Sequence, residues 1–300
     1  MADIADTVGC AVRTTHLIDT LPAIPTQDWV NQCAQALTAV APRAGAACMV
    51  CTLEHDSDRV EVISSGVAMG VKPGEPRSKS LDQSAITLQD RCERLNRLGF
   101  PLPQHAVRRG LIASLRALDS NWNALPLGRL LEGTSLHHPL VHIVSIAGNT
   151  KPSAGALCLM NIVGMLDEDA HAEALRTLHL LRAVHEPLCV RARDALTHVN
   201  NPRAWLTDRE QGVLDLLIEG HSVREIADRM ERSAHTVHDH VKNLHKKIGA
   251  SSRGELIARA MGHRPDGDRE KIPEPVVLTL PPDQFTELKP PAVTARHLRP

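Results

Sequence analysis

Residues 205–263 read WLTDREQGVLDLLIEGHSVREIADRMERSAHTVHDHVKNLHKKIGASSRGELIARAMGH, and this stretch carries most of the chain's functional signal. Its apolar residues recur at helical spacing, interrupted by short polar or glycine-containing breaks. Thr207 and Glu210 have the spacing of a capping box, which begins a helix. Ser222 and Glu225 repeat that spacing a little further along. The stretch is therefore predicted to fold as four short helices.

The third predicted helix, from its cap at Ser233 to about Ile248, has an apolar and a polar face. The apolar stripe is predicted to face the other helices. Two helices joined by a tight turn, the second exposing polar groups, are typical of a helix-turn-helix that reads the major groove of DNA. The stripe consists of Val237, Val241, Leu244 and Ile248, and the polar face consists of His235, His238, Asp239, Lys242 and Lys246.

This module closely resembles the LuxR/GerE-type helix-turn-helix of bacterial transcription regulators. The resemblance covers about a fifth of the chain. It implies a four-helix DNA-binding domain whose fourth helix, here at about 252–261, commonly pairs two protomers on DNA. The matching motifs are LTDRE (206–210), VLDLLIEG (213–220), REIA (224–227), TV (236–237), HV (240–241), KKIGASSR (246–253) and EL (255–256).

The resemblance also implies which residues meet DNA and which pair the protomers, with one departure. The family usually has Lys directly after Thr-Val, where this chain has His238 followed by Asp239. Asp239 could accept a hydrogen bond from a cytosine amino group; alternatively both side chains are solvated and only lysines touch the DNA backbone. The expected DNA contacts are Arg224, Ser233, Thr236, His238, Asp239, Lys242, Lys246 and Lys247, and the expected dimerisation residues are Leu256, Ile257 and Ala260.

Residues 26–199 are predicted to form an α+β domain with one antiparallel sheet. The layout of leading helix, hairpin, helices, second hairpin and long closing helix resembles a GAF/PAS-like sensor domain. Asp167 is expected to cap the closing helix, which contains Pro187. The buried stripe of this helix is predicted to consist of Ala174, Leu178, Leu181, Leu188, Ala192 and Leu196. The predicted hairpin strands are 46–54 with 59–68 and 140–147 with 155–164, the second pair central in the sheet, and helices are predicted at 81–98 and 106–118.

Two other interpretations of this N-terminal part are less consistent with the sequence. A receiver domain needs a helix between its first two strands, whereas only a few polar residues separate them here. An acyl-homoserine-lactone sensor relies on closely spaced Trp, Tyr and Asp. This chain has no Tyr, and Trp29 and Trp122 lie far apart in the sequence.

The remaining segments are assigned by composition. Residues 1–25 are expected to be a loose lead-in, and residues 200–204 a linker to the module at 205–263. Residues 264–300 are rich in proline and expected to be disordered, although VVLTL at 276–280 could pair with a strand.

Composition and short motifs limit the functions that this chain can have. The net charge of −1 gives no global attraction to a polyanion, so DNA binding must come from local geometry.

Cys48 and Cys51 are three residues apart on a predicted strand and should point to opposite faces, which favours core packing over metal binding. We find no catalytic motif and expect no enzyme activity, metal or cofactor. The first residues lack a signal peptide, so a cytoplasmic protein is expected.

The sequence thus predicts a bacterial transcriptional regulator that binds double-stranded DNA as a homodimer and contacts no membrane. RNA polymerase and a small-molecule ligand of the N-terminal domain are further candidate partners. Two alternatives stay open: a sigma-factor-like promoter reader, and a ligand-binding or interaction protein whose helix-turn-helix has lost strong DNA binding.

Overall fold

A computed structural model gives the fold of most of the chain. The N-terminal part is built around one mixed sheet, and the C-terminal part is helical. This confirms the α+β class and a separate helical module. The described residues are 2–24, 26, 28–41, 43–53, 60–71, 74–95, 109–146, 156–196, 206–261 and 272–278.

The sheet has six strands in the order β2-β1-β5-β4-β3-β6. All neighbouring pairs are antiparallel except β3 and β6, which are parallel. Both predicted hairpin pairings are confirmed, and β4 and β5 are central as expected. The strands are β1 (Ala44–Leu53), β2 (Val60–Met69), β3 (Leu111–Ser114), β4 (His137–Ser145), β5 (Ala156–Met165) and β6 (Val276–Leu278).

Helices cover both faces of the sheet. One core contains side chains from α2 and α6, and the other contains side chains from α3, α4 and α5. Cys48 lies in the first core and Cys51 in the second, so the prediction of opposite faces is confirmed. The helices are α1 (Ala2–Asp19), α2 (Trp29–Leu37), α3 (Lys79–Glu93), α4 (Leu115–Leu118), α5 (Pro126–Arg129), α6 (His171–Leu196), α7 (Asp208–Ile218), α8 (Val223–Arg229), α9 (Ala234–Ile248) and α10 (Arg253–Ala260).

The loose lead-in expected at 1–25 is wrong over most of its length, because residues 2–19 form α1, which packs against α6. Cys10, Thr14 and Ile18 are buried at a spacing of four residues. Two of these three are not strongly apolar, so the hydrophobic periodicity of α1 is weak in the sequence.

The helix predicted at 106–118 is wrong over residues 111–114, which form β3. This strand is fully buried, so it lacks the alternation of a half-exposed strand, and its apolar run continues directly into α4. Gly110 precedes it with a φ of 96°, a conformation that favours glycine. Residues 101–108 lie outside the described part of the chain.

The prediction of a disordered tail is wrong at Val276–Leu278, because these residues pair with β3 and make the sheet mixed.

The predicted start of the closing helix also differs from the structure. Helix α6 begins at His171 and not at Asp167, which lies in a turn and forms an ion pair with Arg43. The predicted stripe of α6 is confirmed: Ala174, Leu178, Leu181, Leu188, Ala192 and Leu196 are all buried. The linker expected at 200–204 lies outside the described residues.

Candidate nucleic-acid interface

Helices α7 to α10 enclose a small apolar core. Both predicted capping boxes are present, at Thr207 with Glu210 and at Ser222 with Glu225. The inward face of α8 is narrow, with Ile226 and Ala227 buried. The core contains Leu206, Val213, Leu214, Leu217, Ile226, Ala227, Val237, Leu244, Ile248 and Leu256, with Val241 and Met230 packed at its edge.

A tight turn joins α8 to α9. Glu231 adopts a left-handed conformation with a φ of 53°, and the Arg232 amide donates to the Ala227 carbonyl at 2.9 Å. Ser233 then caps α9 by accepting a hydrogen bond from the Thr236 amide at 3.1 Å. This reversal places α9 across α8, as a helix-turn-helix requires.

The polar face of α9 is open to solvent. His238, Asp239, Lys242 and Lys246 are exposed, and Thr236 is half-buried. Of the other expected DNA contacts, Arg224 on α8 and Ser233 before α9 are also exposed. The structure thus brings six of the predicted contacts to the surface, while Thr236 lies at the edge of this face.

Asp239 is not isolated on this surface. One carboxylate oxygen lies 3.6 Å from Nε2 of His235, one helical turn earlier, and both side chains are more than half exposed. The Asp239 carboxylate therefore lies within ion-pairing distance of a protonated His235.

Lys247 is placed differently from the other predicted DNA contacts. Its ammonium donates to a Glu210 carboxylate oxygen at 2.7 Å, and the Glu210 side chain is only 5% exposed. Burial alone would raise the pKa of Glu210, but hydrogen bonds from Lys247 and Thr207 outweigh it and lower this pKa. Lys247 therefore ties α9 to α7 through a largely buried ion pair.

The predicted dimerisation surface also needs correction. Leu256 is completely buried in the module's own core, so it cannot form part of an exposed surface. Ile257 and Ala260 are half-buried, and the neighbouring Met261 is 57% exposed. Helical periodicity could not distinguish the buried Leu256 from the half-buried Ile257 and Ala260, because α10 packs against both α7 and α9.

Two anchors hold the end of this module together. Arg253 donates to the His221 carbonyl at 2.7 Å, which joins α10 to the segment after α7. Nδ1 of His245 lies 2.9 Å from the Ala250 carbonyl, and Gly249 ends α9 with a φ of 72°. Both groups are therefore used to build the fold of the module and do not extend the exposed polar face.

The N-terminal domain contains a buried histidine pair between β4 and α6. Nε2 of His142 lies 2.9 Å from Nδ1 of His185, and both residues are buried. Burial, and secondarily the neighbouring His185, lowers the pKa of His142 well below its usual range. Burial, with a smaller contribution from Arg193, lowers the pKa of His185 to about 4. The pair is therefore neutral in the folded protein near neutral pH.

In the part of the chain that the structure describes, no three His, Cys, Asp or Glu side chains converge as metal ligands. Each of the seven cysteines is a free and buried thiol. Among the described helices, none combines the length and the apolar composition of a membrane-spanning segment.

The geometry of α7 to α10 defines a helix-turn-helix module with an exposed polar second helix. Residues 204–260 match the family model described as "Bacterial regulatory proteins, luxR family", and they form a helix-turn-helix domain of that family. This confirms the resemblance seen in the sequence.

Curated relatives match the same region. The HTH-type transcriptional regulator MalT of Yersinia pestis is 36% identical over 69 residues, which are 22% of this chain and 8% of MalT. The transcriptional regulatory protein MctR of Rhizobium johnstonii is 40% identical over 58 residues, which are 19% of this chain and 27% of MctR. The chain therefore spans less than a third of the length of either relative.

Two solved structures overlap more of the chain at low similarity. SdiA in complex with octanoyl-rac-glycerol covers 85% of this chain and 91% of its own, with 15% identity and a TM-score of 0.27. Escherichia coli SdiA covers 80% and 91%, with 17% identity and a TM-score of 0.26. At these scores the overlap assigns neither a ligand nor a partner to the N-terminal domain.

Proposed function

We propose that this protein is a transcriptional regulator that binds specific double-stranded DNA sequences through α9. The observation that supports this most strongly is the open polar face of α9 on a braced helix-turn-helix within the family-matched segment. In such modules the N-terminal half of the second helix meets base edges, while nearby cations meet phosphates.

The two parts of this face have different proposed roles. His238 and Asp239, near the start of α9, are proposed to meet base edges. Lys242, Lys246 and Arg224 are exposed cations, and they are proposed to meet phosphates. Lys247 is withdrawn by Glu210, and histidine replaces the usual lysine at 238, so phosphate attraction should be weaker than the family pattern implies.

The N-terminal domain is proposed to sense a small molecule or to mediate dimerisation. Dimerisation would bring two α9 helices to half-sites about 10–10.5 base pairs apart. The exposed end of α10, at Ile257, Ala260 and Met261, is a candidate for the contact between modules.

Selection of random duplex DNA by the purified full-length chain tests the function. We expect one recovered motif, and an affinity that falls steeply between about 50 and 200 mM salt. Recovery of no motif together with salt-independent binding would contradict the proposal. A motif without a two-fold repeat would support DNA binding but contradict the dimer.

Lys242→Ala identifies the kind of contact that Lys242 makes. If Lys242 meets a phosphate, its loss should weaken binding to all sequences equally and reduce the salt slope by about 0.9. A loss confined to one base position would instead indicate base reading. Lys79→Ala is a matched control, because Lys79 is an exposed lysine at the start of α3 and should leave binding unchanged.

One observation favours a second candidate function. The exposed carboxylate of Asp239 lies in the middle of the proposed DNA-facing surface and would repel phosphates. A module adapted to bind a protein would retain the same scaffold with such a surface. Asp239→Asn separates the two functions. In a DNA-binding module, this substitution should change the affinity for DNA or the sequence preference. In a protein-binding module, the variant should still show no sequence-specific DNA binding.

A further inference from the structure

A short segment after α1 connects the two parts of the chain. Leu21, Pro22, Ala23, Ile24 and Thr26, here called the clasp, lie between α1 and α2 in the N-terminal part. Ile24 is only 5% exposed, yet it does not belong to either core of the sheet domain. Its side chain packs in the core of the helix-turn-helix module.

The backbone of the clasp also contacts the module. Thr26 forms a parallel β-bridge with Leu206, the residue just before the capping box of α7. Leu206 is 1% exposed and belongs to the same core as Ile24. The module is thus held by one inserted side chain and one backbone bridge, in addition to the covalent connection through residues 197–205.

Both ends of the clasp are fixed to the N-terminal domain. Ile18 and Leu21 are buried in the core on the α6 side of the sheet, and Arg191 of α6 donates to the Asp19 carbonyl at 2.6 Å. At the other end, the amide of the buried Trp29 donates to the Thr26 carbonyl at 3.1 Å, and its Nε1 donates back to the Pro22 carbonyl at 2.8 Å. The clasp is therefore a rigid attachment and not a free strand that happens to lie on the module.

The clasp does not cover the polar face of α9. The clasp meets the segment that begins α7, whereas His235 and Asp239 of α9 remain 86% and 59% exposed. Docking therefore leaves the polar face of α9 accessible, so its physical effect is on orientation. A module attached only by a linker can rotate, whereas a second attachment restricts it to one orientation.

We infer that the clasp is the docking site of the DNA-binding module on the N-terminal domain, and that it sets the half-site spacing read by a dimer. The second part of this inference rests on the DNA-binding function proposed above. Any rearrangement of α1, α2 or α6 would be transmitted to the module through Ile24, because these helices hold the clasp.

Docking is tested first without DNA. Ile24→Asp places a carboxylate in the module core, and Ile24→Ala removes most of the inserted side chain without adding charge. In the full-length chain, we expect amide hydrogen exchange of residues 206–218 to become at least about tenfold faster in both variants, with β1 and β5 unchanged. Val12→Asp, at a residue of α1 that is 63% exposed, should leave exchange at wild-type rates. Wild-type exchange in the Ile24 variants would overturn docking.

Orientation is tested on DNA containing the selected motif. We expect the wild type to prefer one half-site spacing by about tenfold over spacings shifted by a few base pairs. Ile24→Ala should bind a single half-site as the wild type does but discriminate among spacings less than about threefold. If exchange accelerates while the spacing preference persists, docking stands and the orienting role is overturned. If the wild type binds no DNA, the proposed function fails, and the exchange measurement still decides whether docking occurs.

Discussion

Replacing Lys247 with Met should destabilise the helix-turn-helix module without removing a DNA contact. The Lys247 ammonium lies 2.7 Å from the Glu210 carboxylate, and the two side chains are 22% and 5% exposed. The variant therefore leaves a buried carboxylate without its cation. Glu210 would retain hydrogen bonds from the Thr207 amide at 2.9 Å and the Thr207 hydroxyl at 3.1 Å.

The magnitude follows from this partial compensation. Breaking a fully buried ion pair costs about 3–5 kcal/mol, and losing one hydrogen bond to a charged group costs about 1.5–3 kcal/mol. Because Lys247 is partly exposed, water can partly solvate the Glu210 carboxylate in the variant. We therefore expect the free energy of unfolding of the module to fall by about 2 kcal/mol. For a domain of this size that corresponds to a midpoint lower by roughly 10 °C.

The assay is hydrogen exchange of peptides from α7 and α9 in the full-length chain, measured across a urea series. Lys246→Met is the matched control, since Lys246 is the adjacent lysine and is exposed. It should leave stability unchanged and weaken DNA binding. The double variant Glu210→Gln with Lys247→Met removes both charges and should recover part of the lost stability. Wild-type stability of Lys247→Met with a loss of DNA affinity equal to that of Lys246→Met would refute the assignment.

Three further predictions concern single residues of the two domains. His185 is neutral in the folded protein because burial lowers its pKa from 6.5 to about 4, so the unfolded chain takes up the proton first as the pH falls. This contribution of His185 to stability is complete above about pH 6.5 and is lost toward pH 4. In urea unfolding of the sheet domain, His185 should account for a loss of about 2 kcal/mol between pH 7 and 5, and His185→Leu should reduce the pH dependence by that amount. Glu231→Gly should stabilise the module by up to about 1 kcal/mol in the same exchange assay, because it relieves a left-handed non-glycine residue; a destabilised variant would contradict this. Leu256→Ala should cost the module about 2–5 kcal/mol, whereas Ile257→Ala should cost clearly less, and equal losses would be inconsistent with their different burial.

Local signals were sufficient for the helix-turn-helix. The two capping boxes and the stripe of α9 depend on residues close together in the chain, and each was predicted correctly. The same holds for the stripe of α6 and for both antiparallel hairpins. Periodicity and capping are properties of single elements, so they can be recognised before any tertiary contact is known.

Elements defined by distant contacts were missed. Strand β3 is four residues long and buried on both faces, and it is a strand because β4 and β6 supply its hydrogen bonds. Helix α1 presents Cys10 and Thr14 to its partner, so its buried face does not stand out in the sequence. In both cases the deciding partner lies far away in the chain, and no local pattern reports it.

The sequence by itself determined that the chain contains a luxR-type helix-turn-helix module with a modified polar face at His238 and Asp239. Only the tertiary structure decided which side chains on that module are available. It assigned Lys247 to Glu210 and Leu256 to the core, and it placed Ile24, from a distant segment, among the module's own apolar residues. The physical reason is that helical spacing specifies the direction of a side chain from its own axis, whereas availability depends on what the rest of the fold brings against it.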